Sequence, residues 1–303
     1  MTQFRIGIDL GGSKAEVILL SDDSREHFRT RVPTPRDDYE GTLKALVDLV
    51  HQAEEAAGHK DIPVGVGIPG SVSGRTGRVK NANAVWLNGQ PMQEDLSARL
   101  DRQVRIMNDA NCLALSEATD GAGRDYHNVF AVILGTGCGA GLTVNRVPIA
   151  GPNGVAGEWG HNPLPWTAEH EMRRRPCYCG RMGCNETFLS GTGLSRSFAF
   201  VTGERARGDE IAVRAAEGQV AAQRVLDEYM DHLARGLSNV INVLDPDVIV
   251  LGGGVSNIDA LYTAVPKRLP HYVFGGECDT PVVQAVHGDS SGVRGAAWLN
   301  PVT

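Results

Sequence analysis

Residues 4–21 read FRIGIDLGGSKAEVILLS, and residues 130–144 read FAVILGTGCGAGLTV. In both stretches two runs of alternating apolar residues flank a glycine-rich turn, which predicts a strand, a tight turn and a returning strand. Strand and helix patterns follow in mixed order after each unit, so the internal repeat predicts two α/β domains of similar construction. We expect a hinge near residues 118–128 and a ligand cleft between the domains.

The composition limits the classes of function. The 303 residues are 42% hydrophobic and carry a net charge of −7, which suits a soluble globular protein and argues against a general nucleic-acid binder. The N-terminus has no apolar run long enough for a signal peptide, and the apolar stretches at 129–134 and 248–255 are too short to span a bilayer. We therefore expect a cytoplasmic protein that binds neither nucleic acid nor a membrane.

Two stretches have helical periodicity. Residues 37–57 predict an amphipathic helix that stops at Gly58, and residues 209–242 predict one long helical stretch. Residues 158–186 contain few periodic apolar residues, so we expect a loop-like insertion there.

Three glycine-rich segments each follow a predicted strand: DLGGSK at 9–14, LGTGCGAG at 134–141 and LGGG at 251–254. Glycine permits positive φ angles and lets backbone N–H groups approach an anion closely. The chain has no Walker A sequence, and a strand rather than a helix follows GTGCGAG, which disfavours a dinucleotide fold. We interpret the loops as phosphate-binding turns, with Asp9 near magnesium and Lys14 near phosphate; the alternative is hairpin turns without a ligand.

Asn108 and Asp109 end the predicted strand VRIMND and precede a predicted helix. Phosphoryl transfer to an alcohol needs a carboxylate within hydrogen-bond reach of the hydroxyl, and Asp109 is a candidate for this base. The alternative is that Asp109 only caps the following helix.

A cluster of three cysteines, Cys177, Cys179 and Cys184, has the spacing C-x-C-x-x-x-x-C. With His161 as the fourth ligand, the set predicts a closed, structural zinc site, and His170 competes for the fourth position. A redox pair is disfavoured because C-x-x-C is absent. The remaining cysteines, which are Cys112, Cys138 and Cys278, are isolated in the sequence.

Two acids flank this cluster, Glu158 before it and Glu186 just after Cys184. A metal that holds His161 and Cys184 would also hold the directions of both carboxylates, which are good acceptors for vicinal sugar hydroxyls. The alternative for each acid is a solvated surface position.

The chain resembles the ROK family of bacterial sugar kinases and repressors. The resemblance lies in six motifs that occur in the same order as in the family: DLGGSK, ND at 108–109, LGTGCGAG, GEWGH, CYCGRMGCNE and LGGG. The resemblance covers essentially the whole chain. It implies a two-domain, actin-like (ribonuclease H-like) α/β sugar kinase fold with an interdomain cleft and a zinc-binding loop. The smaller domain would comprise 1–118 plus 291–303 and the larger one 119–290. Ser13 stands where Thr is usual in the family, and Asn185 where Ile is frequent.

The resemblance also implies roles for individual residues, with Asp109 as the catalytic base. Sugar contacts are expected from Gly70, Ser71, Asn83, Asn108, Asp109, Glu158, His161 and Glu186. ATP contacts are expected from Asp9, Gly11, Gly12, Ser13, Lys14, Gly135, Thr136, Gly137, Cys138, Gly139, Gly252, Gly253 and Gly254. Zinc ligands are expected to be His161, Cys177, Cys179 and Cys184. His161 would bind the metal through one ring nitrogen and leave the other free to face the sugar.

The expected reaction is phosphorylation of a hexose at O6 by ATP with Mg²⁺, in a homodimer with a structural Zn²⁺ in each chain. Fructose is the first expected acceptor, followed by mannose and glucose. A kinase for N-acetylglucosamine or another amino sugar is the alternative within the family. A sugar-responsive regulator without turnover is the alternative from another class. It is disfavoured because Asp109 and the loops are retained and because Asp9 leaves no room for an N-terminal helix-turn-helix.

Overall fold

The computed structural model describes residues 3–288 and 291–300. Its strands are β1 (Phe4–Leu10), β2 (Lys14–Ser21), β3 (Glu26–Pro33), β4 (Val64–Ile68), β5 (Ser71–Val72), β6 (Val79–Lys80), β7 (Val104–Asn108), β8 (Asn128–Leu134), β9 (Cys138–Val144), β10 (Val147–Pro148), β11 (Val248–Gly252) and β12 (Val282–Gln284). Its helices are α1 (Tyr39–Ala57), α2 (Met92–Leu100), α3 (Asp109–Thr119), α4 (Glu169–Met172), α5 (Asn185–Leu189), α6 (Gly191–Thr202), α7 (Gly208–Ala216), α8 (Val220–Leu244), α9 (Leu261–Arg268) and α10 (Ser291–Trp298).

Two five-stranded sheets have the same pattern of strand pairing. The first has the order β3-β2-β1-β4-β7 and the second has the order β10-β9-β8-β11-β12. In each, three antiparallel strands are followed by two parallel ones. The hairpins β1–β2 and β8–β9 are the two units of the sequence repeat, so the predicted repeat is confirmed as a structural duplication.

Each sheet has its own hydrophobic core. In the first core, Leu43, Leu46 and Leu49 of α1 pack with the apolar residues of β1, β2, β4 and β7. In the second, the buried residues of α6, α7, α8 and α9 pack on β8 and β11. These separate clusters follow from amphipathic helices that cover one face of each sheet.

Helices α3 and α10 pack against each other and connect the two sheets. Helix α10 contacts β1, β2 and β4, while α3 contacts β8 and β9. Glycine makes this approach possible: a Cβ on Gly295 would lie 1.6 Å from the carbonyl oxygen of Cys112, and one on Gly65 would lie 2.0 Å from that of Ala296. The ends of the neighbouring strands therefore lie close to α3.

Helix α1 agrees with its prediction, whereas the long helical stretch does not. The α1 N-cap is Asp38, which accepts a hydrogen bond from Gly41 N, and α1 ends at Gly58 with φ 72°. The stretch 209–242 is divided into α7 and α8, because Gly218 adopts φ 90°. A left-handed glycine interrupts the helical hydrogen bonds, so the prediction of one continuous helix was wrong. Among the described residues no helix is long and apolar enough to cross a membrane.

Candidate active site

Asp109 begins α3 at the carboxyl end of the parallel strand β7, where α/β proteins place functional groups. The N-cap itself is Asn108, whose Oδ1 accepts a hydrogen bond from Ala110 N at 2.9 Å and whose Nδ2 donates to Gly70 O at 3.1 Å. Asp109 Oδ1 also accepts from Ala110 N, at 2.8 Å. Burial, and to a smaller extent the negative charge of Glu158, raise the pKa of Asp109 to about 6. Asn108 caps the helix, so the capping role does not fall to Asp109.

The first glycine loop closes the β1–β2 hairpin beside Asp109. Gly11 N donates to Lys14 O at 2.9 Å, while Gly12, Ser13 and Lys14 are exposed. Asp9 precedes the loop, and burial followed by the charge of Asp109 raises the pKa of Asp9 to about 6. Asp9 near the end of β1 and Asp109 at the start of α3 therefore lie close enough for the negative charge of Asp109 to act on Asp9.

The second and third glycine loops touch each other. Gly253 has φ 82°, and a Cβ there would lie 2.7 Å from the carbonyl carbon and oxygen of Leu134. Gly135 N donates to Gly137 O at 3.0 Å and closes the second loop. Gly135 O in turn accepts from Gly191 N, at 2.7 Å, which joins this loop to the start of α6.

A cleft of about 810 Å³ opens between the second loop, the third loop and the N-terminal ends of α6 and α7. This volume lies in the range of small-molecule sites. Sequence reasoning identified the lining residues Gly135, Thr136 and Gly254 but missed others: Gly191, Thr192, Ser195, Arg196, Arg205, Arg207, Gly208, Asp209, Val255 and Asn257. A signal was present, because Ser190 caps α6 by accepting a hydrogen bond from Gly193 N, and such caps mark a helix start.

The segment after β4 contains the next three predicted sugar contacts. Ser71 is buried, and its Oγ has no hydrogen-bond partner among the described residues. Gly70 packs on Ala82, where a Cβ on Gly70 would lie 2.8 Å away. Asn83 is exposed and its backbone N donates to Pro69 O at 3.0 Å. A buried hydroxyl without a partner is unusual and suits a site that a polar ligand completes.

His161, Cys177, Cys179 and Cys184 form the predicted metal-binding group, with their donor atoms all within 4.8 Å of one another. The Sγ atoms of Cys179 and Cys184 are 3.6 Å apart, and Cys177 Sγ lies 3.5 Å from His161 Nδ1. A tetrahedral zinc ion separates two sulfur ligands by about 3.8 Å and a sulfur from a nitrogen by about 3.5 Å. The donor set and its spacing therefore fit zinc, and His170 is not part of the group.

Glu186 connects the metal-binding group to the second glycine loop. Its Oε1 lies 3.9 Å from Cys177 Sγ, and its Oε2 accepts a hydrogen bond from Cys138 N at 3.1 Å. A Cβ on Gly137 would lie 2.7 Å from the same Oε2, so a larger residue there would displace the carboxylate of Glu186. Glu158 is exposed in a short 3-10 turn that also contains His161.

The second nitrogen of His161 is not free, contrary to expectation. The hydroxyl of Tyr178 lies 2.9 Å from His161 Nε2, and the two rings meet edge to face at 5.0 Å. Desolvation, then the charges of Glu186 and Glu158, raise the pKa of Tyr178 to about 12. The tyrosine between the first two cysteines thus lies among the residues expected to contact the sugar, and sequence reasoning did not assign it a role.

Comparisons with known proteins settle the family. Residues 5–302 match the ROK family. The chain belongs to the ROK family. It is 41% identical over 298 residues to an N-acetyl-D-glucosamine kinase of Pectobacterium atrosepticum, covering 97% of this chain and 98% of the relative.

Solved structures of the ROK family share the fold. A ROK hexokinase from Thermus thermophilus superposes with a TM-score of 0.86 at 29% identity, over 99% of this chain and 97% of its own. A ROK family glucokinase from Streptomyces griseus, in complex with glucose and AMPPNP, has a TM-score of 0.77 at 28% identity, over 97% of this chain and 98% of its own. The actin-like α/β fold expected from the sequence is confirmed.

Proposed function

We propose that this ROK protein is an ATP-dependent sugar kinase that phosphorylates the 6-hydroxyl of a hexose. The observation that carries the proposal is the position of Asp109. Its carboxyl group, with a pKa raised to about 6, begins a helix beside Asp9 and in the field of Glu158. A base near neutrality next to glycine loops is the arrangement that phosphoryl transfer to an alcohol requires.

N-acetyl-D-glucosamine is the acceptor that the relatives favour. Fructose is the first expectation from the sequence, but the relatives at 40–41% identity are N-acetyl-D-glucosamine kinases, which supports the alternative better. Fructose and mannose, the acceptors expected first from the sequence, remain the second candidates.

The acceptor would bind to a set of polar groups around Asp109. Ser71 Oγ is a buried hydroxyl that has no partner among the described residues, and Asn108 is oriented by its hydrogen bond to Gly70 O. The proposed sugar-binding residues are Gly70, Ser71, Asn83, Asn108, Asp109, Glu158, His161 and Glu186.

The nucleotide would lie along the three glycine loops and in the 810 Å³ cleft. Backbone N–H groups of glycine turns bind phosphate oxygens, and the N-terminal ends of α6 and α7 carry partial positive charge. The proposed ATP-binding residues are Asp9, Gly11, Gly12, Ser13, Lys14, Gly135, Thr136, Gly137, Cys138, Gly139, Gly252, Gly253 and Gly254.

In this mechanism Asp109 accepts the proton of the 6-hydroxyl as that oxygen attacks the γ-phosphorus of ATP, and the bond from that phosphorus to the bridging oxygen breaks so that ADP leaves. Asp9 lies beside the first loop, where a carboxylate is a suitable oxygen ligand for Mg²⁺ or its bound water. When bound, Mg²⁺ neutralises charge on the phosphates. Lys14 adds positive charge at the same loop, and closure of the cleft excludes water from the transfer.

Zinc would be structural, held by His161, Cys177, Cys179 and Cys184. Four protein ligands leave no position open for a substrate. The ion would maintain the loop that carries Glu186, whose carboxylate reaches the second glycine loop at Cys138 N.

We also propose that two domains move about the cleft, 1–118 plus 291–303 and 119–290. Residues 1, 2, 289, 290 and 301–303 of this division lie outside the described residues. The two separate hydrophobic cores support the division. A homodimer stays a prediction from the family resemblance.

A coupled ADP-release assay with ATP and Mg²⁺ tests the function. N-acetyl-D-glucosamine, fructose, mannose and glucose are compared at equal concentrations, and the phosphorylated carbon is identified by NMR. We expect sugar-stimulated ADP release and a 6-phosphate product. Sugar binding in calorimetry without ADP release would instead support the regulator, and the kinase proposal would be wrong.

A further inference from the structure

The β5–β6 hairpin contacts the turn at residues 151–157, although the two segments lie in different proposed domains. The ammonium group of Lys80 donates a hydrogen bond to the carbonyl oxygen of Asn153, with Nζ and O 2.6 Å apart. The backbones also approach closely, because a Cβ on Gly154 would lie 3.1 Å from Val72 O. The two halves of the molecule therefore meet through elements other than α3 and α10. We call the hydrogen bond from Lys80 to Asn153 the interdomain bridge.

On the hairpin side, the bridge is directly opposite a proposed sugar contact. Lys80 of β6 pairs in antiparallel register with Ser71 of β5, and residues paired in this way direct their side chains to the same face. Ser71 is buried, and its Oγ has no hydrogen-bond partner among the described residues. A movement of the hairpin that breaks the bridge therefore also moves Ser71.

On the other side, the bridge ends in a turn that is fixed to the second sheet. Gly157 packs against β9, where an added Cβ would lie 2.1 Å from Ala140 O. The turn continues directly into Glu158, whose backbone N donates to Val155 O at 3.1 Å. The carbonyl group of Asn153 and the backbone of Glu158 thus belong to one hydrogen-bonded segment.

We propose that the interdomain bridge holds the sugar side of the cleft closed, and that Lys80 is a positioning residue that brings Ser71 and Glu158 together around the acceptor. The inference rests on the proposed function and on the proposed movement of two domains. Separation of the domains must break the bridge, because its two partners lie in different domains.

The charge on Lys80 gives the bridge its strength. A hydrogen bond from an ammonium group is stronger than one between neutral groups. The bridge stabilises only the closed arrangement, so its loss shifts the population towards the open one. Sugar binding then weakens, because fewer molecules present both sides of the sugar site at once.

Lys80→Met removes the donor and keeps most of the length of the side chain. We expect the dissociation constant and the KM for N-acetyl-D-glucosamine to rise at least about fivefold, with kcat and the KM for ATP within about twofold of wild type. Calorimetry and ADP release measure these quantities. In small-angle X-ray scattering, the ligand-free variant should have a larger radius of gyration than wild type. Lys44→Met, at an exposed lysine of α1 in the same half, is the matched control.

Two glycines of the turn provide a second test that leaves Lys80 in place. Gly154 and Gly151 have φ 60° and 72°, so an alanine at either position strains the backbone. A Cβ on Gly154 would press on Val72 O of the hairpin, whereas one on Gly151 would meet only Ala156 of its own turn, at 3.6 Å. We therefore expect Gly154→Ala to weaken sugar binding more than Gly151→Ala. Equal effects would show that strain alone matters and would overturn the bridge.

The outcomes for Lys80→Met separate the bridge from a general structural role. Wild-type sugar affinity in this variant overturns the proposal. Weaker affinity with an unchanged radius of gyration also overturns it, because the domains have then not separated. An equal rise in the KM values for sugar and for ATP overturns it as well, since the bridge acts on the sugar side.

The same measurements distinguish failure of the bridge from failure of the proposed function. If the wild type binds sugar but releases no ADP, the kinase proposal fails, while calorimetry and scattering still test the bridge. If ADP release is normal and Lys80→Met matches Lys44→Met in every measurement, only the inference about the bridge fails.

Discussion

Asp109 accepts a backbone hydrogen bond from Ala110, which lowers its pKa, yet burial outweighs this contact and the pKa rises to about 6. Burial favours the neutral form of a carboxyl group, and the neighbouring charge of Glu158 acts in the same direction. The result is a carboxylate that is ionised at neutral pH and still basic enough to accept a proton.

Asp109→Asn removes this base while keeping the shape of the side chain and an oxygen for Ala110 N. We expect kcat to fall by about 1,000-fold, since general-base catalysis contributes on the order of 10²–10⁴. Steady-state ADP release measures this, and sugar affinity from calorimetry should change little. Asp125→Asn, at an exposed site near the end of α3, is the control and should keep wild-type kcat. A fast Asp109→Asn enzyme would contradict the assignment.

The raised pKa of Asp109 also predicts a pH profile. Above about pH 6 the carboxylate is ionised and can accept the proton, whereas below it the group is already protonated. We therefore expect kcat/KM to fall about tenfold per pH unit on the acid side, or more steeply because the pKa of Asp9 is also raised to about 6. A profile that stays flat down to about pH 5 would show that neither carboxyl titrates in the reaction.

At the scale of elements, α5 connects the metal-binding group to the second glycine loop. Glu186 lies in the first turn of α5, two residues after Cys184, so the metal-binding group and the second glycine loop are linked through one carboxylate. Loss of the metal should therefore affect substrate binding as well as loop stability.

Cys184→Ser removes one of the four metal donors, and zinc content should fall from about one per chain to well below it. We expect sugar affinity to weaken at least about tenfold, because supporting groups of a metal site contribute on the order of 10–100-fold. Elemental analysis after purification without chelators and calorimetry measure both quantities. Cys278→Ser, at a free cysteine outside the group, should retain zinc and affinity. Equal zinc in both variants would refute the ligand set.

Gly253 tests the contact between the second and third loops. In Gly253→Ala the new methyl group would lie 2.7 Å from Leu134 backbone atoms, so the loops must separate. We expect the KM for ATP to rise about tenfold, in addition to about 1 kcal/mol of backbone strain.

Gly275→Ala separates strain from collision. Gly275 has φ 87°, but a Cβ there meets nothing within 4 Å. It should show the strain in urea unfolding with an unchanged KM for ATP. If both variants bind ATP normally, the third loop does not contact the nucleotide.

At the scale of the whole molecule, α3 and α10 connect two sheets that share one strand pattern. Their crossing depends on Gly295, whose hydrogen faces the carbonyl of Cys112. Because α3 begins with Asp109, this crossing also positions the proposed base relative to both halves.

Gly295→Ala should lower the free energy of unfolding by about 2 kcal/mol or more, since a methyl group 1.6 Å from a carbonyl oxygen forces the helices apart. Urea denaturation measures this, and kcat should fall as α3 shifts. Gly292→Ala in the same helix places its Cβ 3.5 Å from the nearest atoms, an ordinary contact, and should keep wild-type stability. Equal stability of the two variants would exclude a tight crossing at Gly295.

Local spacing in the sequence determined the duplicated hairpins, the glycine loops and the cysteine–histidine donor set. Alternation, glycine turns and ligand spacing act over a few residues, so a single sequence records them. The sequence predicted one continuous helix over residues 209–242 and missed the break between α7 and α8. Apolar periodicity does not reveal that Gly218 adopts a left-handed backbone conformation.

Only the tertiary structure determined which residues that are distant in the sequence lie in contact. The packing of separate elements brings Tyr178 into contact with His161 and lets Glu186 accept a hydrogen bond from Cys138 N. It also places the N-terminal ends of α6 and α7 in the wall of the cleft. The raised pKa values of Asp9 and Asp109 likewise come from burial and from charges distant in sequence. Such contacts are set by the whole fold, because desolvation and close approach depend on neighbours that no local pattern encodes.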